Sequence, residues 1–222
     1  MKTKASANQD KPRVRDRILG TACELFYKHG IQAVGVDAIA SEAGTNKMSL
    51  YRNFASKEEL VAEYLREQER EYWQFWDETV APHTGDPRRQ LEALFEAFLT
   101  RSKSKSGDDT CKTGRGCALG NAAVEIPEGD EMLSAIVHEY KAEIRRRLRR
   151  LAREMGAREP EVLGDALMLL LEGGYYTRLV FASNGPVNSI VKAARSLLDA
   201  HGAGRDALRP PARAPAARDS SR

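Results

Sequence analysis

The side chains with the most evident chemistry lie just after Gly44, where hydroxyl, amide and cationic groups are concentrated. Lysine and arginine pair with phosphate oxygens, whereas hydroxyl, amide and guanidinium groups can match the hydrogen-bonding edges of bases. This chemistry serves nucleic-acid binding and requires no metal or cofactor. The candidate DNA-contacting residues are Thr45, Asn46, Lys47, Ser49, Tyr51, Arg52 and Lys57.

Two short helices separated by Gly44 would present these side chains to solvent. Apolar residues at helical spacing predict one helix over residues 36–43 and a second over about 46–53. Glycine ends the first helix because it takes the left-handed turn at little cost, and Thr45 or Asn46 would cap the second. This pattern is typical of the helix-turn-helix, whose second helix fits the major groove of DNA. The residues of that helix expected to face the core are Leu50 and Phe54.

Residues 13–62 as a whole resemble the DNA-binding signature of the TetR family of bacterial transcription regulators. The family pattern is roughly I-A-x-x-A-G-V-S-x-x-x-L-Y-x-x-F-x-[SN]-K-E-x-L. The chain departs from it at Thr45-Asn46, where capping is retained, and near Gly35, where the family often has a phosphate-contacting serine or threonine. The matching residues are Ile39, Ala40, Ala43, Gly44, Leu50, Tyr51, Phe54, Ser56, Lys57, Glu58 and Leu60.

The resemblance gives the candidate residues their expected roles. The polar side chains of the second short helix would reach bases or phosphates, and Lys57 would hold a backbone phosphate. Arg52 would contact either a guanine or a phosphate, and Tyr51 either DNA or its neighbours Phe54 and Lys57. In this family repression is the usual mode of regulation, so we expect a repressor that binds a palindromic operator.

Helical periodicity continues through most of the chain, and no strand-like pattern competes with it. The sequence therefore predicts an all-α fold of about nine helices. We expect a flexible basic arm over residues 1–12, a helix-turn-helix DNA-binding domain over 13–60, a ligand-binding and dimerisation domain over 61–201 and a disordered tail over 202–222. The arm would either follow the DNA or remain a solvated terminus.

Composition excludes several classes of protein. The 222 residues carry a net charge of only +3, so nucleic-acid binding must come from local charge. Three cysteines are too few for a secreted disulfide scaffold, and the first residues lack an apolar leader. The most apolar stretch, residues 166–182, is short and interrupted by charges. We expect a cytoplasmic protein with no membrane span, no metal and, since no catalytic motif is present, no enzymatic activity.

The helix starting at Pro160 is apolar on nearly all sides, which predicts a second buried face against a partner. Gly173 and Gly174 would permit close approach across a two-fold axis. The helix from Pro160 and the last helix, from Pro186, would together form the four-helix dimer interface that the TetR resemblance implies. The alternative is that this helix is the buried centre of a large monomer.

The resemblance also implies a small-molecule effector that binds among the middle helices and spreads the two DNA-binding domains. The alternative for each candidate is ordinary core packing. Glu172 attracts attention because a carboxylate in an apolar helix needs a partner, which would be a ligand, Arg178 or a tyrosine hydroxyl. The candidate ligand residues are Trp73, Trp76, Phe95, Phe98, Leu99, Cys117, Tyr140, Leu169, Glu172, Tyr175 and Tyr176.

Three further hypotheses remain open from the sequence. Cys117, at a helix start within Gly-Cys-x-x-x-Asn-x-x-x-Glu, would sense oxidants or electrophiles together with Cys111, or would be a small buried residue. The arginines of residues 141–153 would form a second nucleic-acid surface or a solvated helix face. Finally, the chain would be an architectural DNA-binding protein that needs no effector.

Overall fold

The computed structural model describes residues 12–103, 115–181 and 184–202. Within these ranges the regular structure is helical, which confirms the predicted all-α fold of about nine helices. The helices are α1 (Val14–His29), α2 (Val36–Glu42), α3 (Lys47–Asn53), α4 (Lys57–Val80), α5 (Pro87–Lys103), α6 (Ala118–Glu125), α7 (Glu131–Glu154), α8 (Pro160–Phe181) and α9 (Ile190–His201). The last helix was predicted to begin at Pro186, but Pro186–Ser189 forms a 3-10 turn before α9.

Several sequence predictions concern residues outside these ranges. They are the basic arm up to residue 11, the tail from residue 203 and the proposed partner thiol Cys111. The other two cysteines, Cys23 and Cys117, are free thiols of intermediate exposure. Within the described ranges, no helix is both long and apolar enough to cross a bilayer, and no three metal-ligating side chains cluster.

The first three helices form a small unit around their own apolar core. Ile18 and Ala22 of α1, Ile39 of α2 and Leu50 of α3 have no exposed surface, and Phe54 is 1% exposed. Full burial of a large apolar side chain stabilises a fold by about 1.5–3 kcal/mol. The predicted inward orientation of Leu50 and Phe54 is confirmed, and it fixes which face of α3 remains outside.

Helix α4 connects this unit with the rest of the chain. Near its start the ring of Tyr64 packs against Phe26 of α1, with centroids 5.5 Å apart. Near its end Trp76 is almost completely buried, and this part of the helix packs against α5 and α7. The predicted domain boundary at residues 60–61 therefore falls inside a continuous helix, and one apolar core passes through both parts.

Helices α7 and α8 pack closely along each other, and α9 packs against α5 and α8. The predicted role of Gly174 at a two-fold axis is wrong, because this glycine faces inward. A Cβ atom there would lie 2.7 Å from Cδ1 of Ile190 and 2.8 Å from Cε1 of Phe98. Gly173 points the other way, and a Cβ atom on it would meet nothing within 4 Å.

Candidate nucleic-acid interface and internal cavity

The turn between α2 and α3 has the geometry of a glycine-terminated helix. Gly44 has a φ of +63°, and its N–H donates to the carbonyl of Ser41 at 3.1 Å. The N–H of Thr45 donates to the carbonyl of Ala40 at 2.9 Å. These two bonds form a Schellman motif, which satisfies the last carbonyls of α2 and requires a residue that tolerates positive φ. The predicted role of Gly44 is confirmed.

Asn46, rather than Thr45, caps the recognition helix α3. Its Oδ1 accepts a hydrogen bond from the backbone N–H of Ser49 at 2.9 Å. A cap of this kind typically contributes about 1 kcal/mol. The amide Nδ2 of Asn46 is left to face solvent, since the residue is exposed. Capping therefore fixes both the start of α3 and the orientation of one candidate DNA contact.

The outer face of α3 is polar, cationic and exposed. Lys47 forms an ion pair with Asp37 of α2 at 3.1 Å, and both side chains are more than half exposed. Such a pair is worth little in water, so Lys47 can exchange it for a phosphate. Arg52 donates to the thioether of Met48 at 3.4 Å, and Tyr51 is 44% exposed. Ser49 and Lys57 are half-buried at the edges of this face.

Met48 is a residue of this face that the sequence reasoning missed. Its side chain is 67% exposed, although it is apolar and lies between two polar positions. An apolar side chain in a major groove can contact the methyl group of thymine. The available signal was its position: in α3 it falls between Lys47 and Ser49, away from the buried Leu50.

The start of α4 is fixed by side-chain capping at Ser56, in an arrangement close to a capping box. The hydroxyl of Ser56 accepts from the N–H of Glu59 at 3.1 Å, and the Glu59 carboxylate accepts from the N–H of Ala55 at 2.5 Å. This holds Lys57 at the first position of α4, beside the exposed face of α3. At the start of α2, by contrast, Gly35 supplies no side-chain cap.

A cavity lies where α4, α5, α7 and α8 meet the end of α1 and the start of α6. It is a partly open cleft whose internal volume is about 60 Å³. The ring pairs Tyr72–Tyr140 and Phe98–Tyr175 meet edge to face, with centroids 5.3 and 4.7 Å apart. The lining residues are Tyr27, Gln68, Glu71, Tyr72, Phe75, Phe98, Arg101, Ser102, Gly116, Cys117, Ala118, Leu119, Tyr140, Tyr175 and Arg178.

Comparison with known proteins connects this geometry with a family. A family model described as bacterial regulatory proteins, tetR family, matches residues 18–64. Over 89 residues the chain is 37% identical to the transcriptional repressor KstR2 of Mycobacterium tuberculosis, and over 85 residues it is 36% identical to the transcriptional activator FasR of Mycolicibacterium smegmatis. Residues 18–64 are a DNA-binding region of the TetR family of transcriptional regulators.

The two curated matches span only part of each protein. They cover 37% and 38% of this chain, and 41% and 38% of KstR2 and FasR respectively. The TetR-family fold itself continues further. The crystal structure of SCO4454, a TetR-family regulator from Streptomyces coelicolor, superposes with a TM-score of 0.76 at 24% identity. That superposition covers 85% of this chain and 95% of the other, so the two proteins share a fold over both the DNA-binding unit and the larger domain.

The larger domain brings only some of the predicted ligand residues to the cavity. Phe98, Cys117, Tyr140 and Tyr175 line it. The other predicted ligand residues do not line the cavity, because they pack in the core or face away from it. Core packing without a cavity contact accounts for Trp73, Trp76, Phe95 and Leu99.

Leu169 and Tyr176, two of the predicted ligand residues, do not line this cavity. They are 73% and 71% exposed and lie on the outer face of α8, opposite the buried Leu167, Leu171 and Gly174. Helical periodicity placed them on an apolar helix correctly. It could not assign them to the second apolar face of the helix, the one predicted to meet a partner, rather than to the face that packs on the core.

Glu172 does not line the cavity, and its partner is a residue that the sequence reasoning did not consider. Its carboxylate lies 2.5 Å from Nζ of Lys141 in α7, and the same ammonium group lies 3.6 Å from Sγ of Cys117. Burial lowers the pKa of Lys141, but Cys117 and Glu172 outweigh this effect, so the pKa lies above its usual 10.5. The lysine is therefore a stable cation behind the cavity wall.

Tyr27 is the most informative cavity residue that was missed. It belongs to α1, and its hydroxyl donates to the carbonyl of Gly116 at 2.9 Å. The cavity therefore shares a wall with the DNA-binding unit. Burial also raises the pKa of Tyr72 and of Tyr140, so both hydroxyls stay protonated. No sequence pattern marks α1 as a cavity element, since its residues match the DNA-binding signature.

The arginine-rich face of α7 is occupied by ion pairs. Asp165 of α8 accepts hydrogen bonds from both Arg145 and Arg149 at 2.5 to 2.8 Å, and these bonds hold its pKa well below the usual range. Arg147 lies over the ring of Trp73, 4.1 Å from the centroid. These arginines are engaged with α8 and α4, so a second nucleic-acid surface here has no support in the geometry.

Proposed function

We propose that this chain is a homodimeric repressor that binds a palindromic operator and is released from it by a small molecule. The observation that carries the proposal is the exposed, cationic face of α3, held outward by the buried Leu50 and the capped turn. The residues proposed to contact DNA are Thr45, Asn46, Lys47, Ser49, Tyr51, Arg52 and Lys57. We propose that the protein acts in the cytoplasm, where a regulator of bacterial transcription meets its DNA.

A single α3 reads only a few base pairs, and dimers of helix-turn-helix proteins bind two half-sites about one helical turn apart. The proposed dimer face is the outer stripe of α8, formed by Leu169, Gly173, Tyr176 and Val180. These positions follow one another at spacings of four, three and four, and the three large side chains are 63–73% exposed. Open space beside Gly173 leaves room for a second backbone. Helix α9 would complete a four-helix interface.

The cavity is the observation that supports a small-molecule effector. Six aromatic rings line it, from Tyr27, Tyr72, Phe75, Phe98, Tyr140 and Tyr175. Stacked and edge-to-face contacts with such rings favour a flat, largely apolar ligand. The ligand must bind the released form better than the DNA-bound form in order to shift the equilibrium. We propose repression because KstR2 is named a repressor; activation, as named for FasR, is the second candidate.

The experiment is a fluorescence-anisotropy titration with duplexes selected from a random library, at two salt concentrations. Substitution Arg52→Ala should weaken binding about tenfold or more, since a bidentate base contact is worth about 1–3 kcal/mol. Arg150→Ala is the matched control. Arg150 is exposed, lies in α7 away from α3, and forms only a loose ion pair with Glu154, with 3.7 Å between Nε and Oε1.

Selective binding by two chains per duplex, lost in Arg52→Ala alone, supports the proposal. Equal and salt-sensitive binding to selected and scrambled duplexes would instead indicate an architectural protein. If Arg150→Ala weakened binding as much as Arg52→Ala, the assignment of α3 as the reading helix would be wrong.

A further inference from the structure

The hydroxyl groups in the cavity wall differ in whether they have a hydrogen-bond partner. The hydroxyls of Tyr27 and Ser102 each donate to a backbone carbonyl, at 2.9 and 2.7 Å. Tyr72 and Tyr140 contact each other through their rings, but among the residues that the structure describes their hydroxyls have no hydrogen-bond partner. Both tyrosines line the cavity, so a ligand bound there can supply the missing partner.

Tyr140 is the more buried of these two tyrosines, with only 2% of the residue exposed. Its hydroxyl is nevertheless not enclosed in the core. Within the described ranges, the side-chain atom that is both fully enclosed and without a hydrogen-bond partner is Nη1 of Arg89. The Tyr140 hydroxyl therefore keeps some open surface, and the cavity is the space that this residue borders. A buried hydroxyl without a partner is unfavourable, so the site favours a ligand with a polar group.

The charged side chains of the cavity wall determine which sign of charge that group should carry. Arg101 in the last turn of α5 and Arg178 in the last turn of α8 are both half-buried. Glu71, by contrast, is exposed, and its carboxylate already accepts from the side-chain amide of Gln68 at 3.1 Å. Because water screens an exposed charge more than a half-buried one, the two arginines dominate the local field. The cavity therefore favours an anion.

The chemistry of the arginines and phenols suits a carboxylate in particular. A guanidinium group has five N–H donors in a planar fork that matches the two oxygens of a carboxylate. Arg101 lies over the ring of Phe75, 4.2 Å from the centroid, and can bind a carboxylate in addition to the contacts it already makes. The protonated phenols of Tyr72 and Tyr140 can donate to the same kind of oxygen. Hydrogen bonds to an ionised acceptor are stronger than those to a neutral one.

The size of the cavity limits the rest of the ligand to about one ring. An enclosed cavity of about 150 Å³ holds a benzene molecule. This cavity is open but has an internal volume of only about 60 Å³, so a ligand larger than one ring would require its walls to move. The edge-to-face pairs Tyr72–Tyr140 and Phe98–Tyr175 in the wall favour a flat aromatic ring.

We propose that the ligand of this cavity is a monocyclic aromatic carboxylate. Its ring packs against the aromatic wall, and its oxygens accept hydrogen bonds from the phenols of Tyr72 and Tyr140. Arg101 and Arg178 supply the compensating positive charge. The role of this ligand as the effector rests on the proposed function, whereas its binding to the cavity can be measured on the protein alone. A cationic aromatic ligand held by Glu71 is the outcome that would contradict the proposal.

The first test compares three probes that have nearly the same shape but differ in charge: benzoate, benzamide and benzamidinium. Isothermal titration calorimetry on the full chain, at neutral pH and without DNA, measures the affinity of each probe. Benzoate should bind most tightly and benzamidinium most weakly. Benzamidinium that binds as tightly as benzoate, or benzoate that shows no saturable binding, would overturn the proposal.

The second test removes the positive charge from the cavity wall. The double variant Arg101→Gln/Arg178→Gln should weaken benzoate binding about tenfold, as expected for hydrogen bonds to a charged group, and should leave benzamide binding nearly unchanged. The matched control is Arg146→Gln/Arg150→Gln. These two exposed arginines of α7 pair with glutamates of their own helix and do not line the cavity. An equal loss for benzoate and benzamide in the first variant would contradict recognition of the ligand's charge.

The third test removes the buried hydroxyl. Tyr140→Phe should weaken both benzoate and benzamide about fivefold, since each offers an oxygen to the phenol. Tyr64→Phe is the matched control, because Tyr64 is equally buried but does not line the cavity. Unchanged benzoate affinity in Tyr140→Phe would refute the role of its hydroxyl. Glu71→Gln should leave benzoate binding intact or strengthen it, and a loss of benzoate binding there would contradict the proposed sign of charge.

A release experiment separates this proposal from the proposed function. In the anisotropy titration, benzoate but not benzamidinium should release the selected duplex. A wild-type protein that binds no duplex selectively would refute the proposed function, and calorimetry would still decide the ligand class. A protein that binds the duplex but not benzoate would refute the ligand class alone. Benzoate that binds the cavity without releasing the duplex would overturn its role as the effector.

Discussion

A Cβ atom on Gly164 would lie 2.8 Å from the backbone nitrogen of Arg149, so α7 and α8 approach as closely as a bare glycine allows. The same short separation places Asp165 between Arg145 and Arg149. The packing of these two long helices therefore depends on one missing side chain and on the ion pairs beside it. Each of these features can be tested.

Gly164→Ala should destabilise the protein, because the added methyl group must displace the backbone of α7. Overpacking of this kind typically costs about 1–3 kcal/mol. Thermal or urea unfolding monitored by circular dichroism measures the change. Gly20→Ala in α1 is the matched control, since its Cβ would meet nothing within 4 Å. That control should gain roughly 0.5–1 kcal/mol from helix propensity; equal stability of the two variants would contradict the close packing.

Asp165→Asn should change how stability depends on pH. The two arginines depress the pKa of Asp165 in the folded state. A depressed carboxyl pKa contributes stability above its unfolded value near 3.8, and this contribution is lost as pH falls through the folded value. The wild type should therefore be more stable than the variant at pH 6, and the difference should shrink in acid below about pH 4. A difference that stays constant from pH 6 to pH 2 would show that the arginines do not stabilise the ionised form.

Asn46→Ala should lower both the stability of α3 and operator affinity. The lost cap costs about 1 kcal/mol of stability, and a frayed start of α3 misplaces its contacting side chains. Asn46→Ser keeps a capping oxygen and is the matched control, so its stability should remain close to the wild type. Unfolding curves and anisotropy titrations provide the two measurements. If the serine variant lost as much stability as the alanine variant, the stability contributed by Asn46 would not come from capping.

Tyr176→Lys should convert the proposed dimer to a monomer, because a charge on the outer stripe of α8 would be buried against its own copy. Sedimentation velocity measures the change in mass. Val124→Lys in α6 is the matched control, since Val124 is 86% exposed and lies off that stripe. The dimer face would have to be sought elsewhere if Tyr176→Lys remained dimeric or if both variants dissociated alike.

Cys23 should be unreactive toward thiol reagents in the folded protein. Burial, with smaller effects from Glu67 and Glu71, raises the pKa of its thiol from 9.0 to about 12. At pH 8 only about one thiol in ten thousand would be ionised. In a variant with Cys111 and Cys117 replaced by serine, Ellman's reagent should react within the mixing time in urea and very slowly without it. Fast reaction in the native state would mean that the α1–α4 contact opens readily.

The parts of the fold that the sequence predicted are those determined by local rules. Gly44, Asn46 and Ser56 end or cap helices through contacts within five residues, and the spacing of Leu50 and Phe54 alone determines their buried face. For these features a single sequence contains nearly all the necessary information.

The cavity depends on contacts between distant segments, and its composition could not be predicted in the same way. An aromatic residue at helical spacing reads the same whether it lines a cavity, like Tyr140, fills the core, like Trp76, or faces outward, like Tyr176. Tyr27 contacts a carbonyl 89 residues away, and Lys141 contacts a carboxylate 31 residues away. No local pattern encodes such distances.

The place of Tyr27 in the cavity wall has a consequence for protein engineering. A DNA-binding unit exchanged at a boundary ahead of α4 would replace Tyr27 in the cavity wall and would lose the close contact between Gly30 and the carboxylate of Glu125. Such a chimera should lose ligand response even if both halves fold and the new operator is recognised. A sensor built from this scaffold would therefore need Tyr27 and Gly30 introduced into the incoming unit. The two domains should not be exchanged independently of each other.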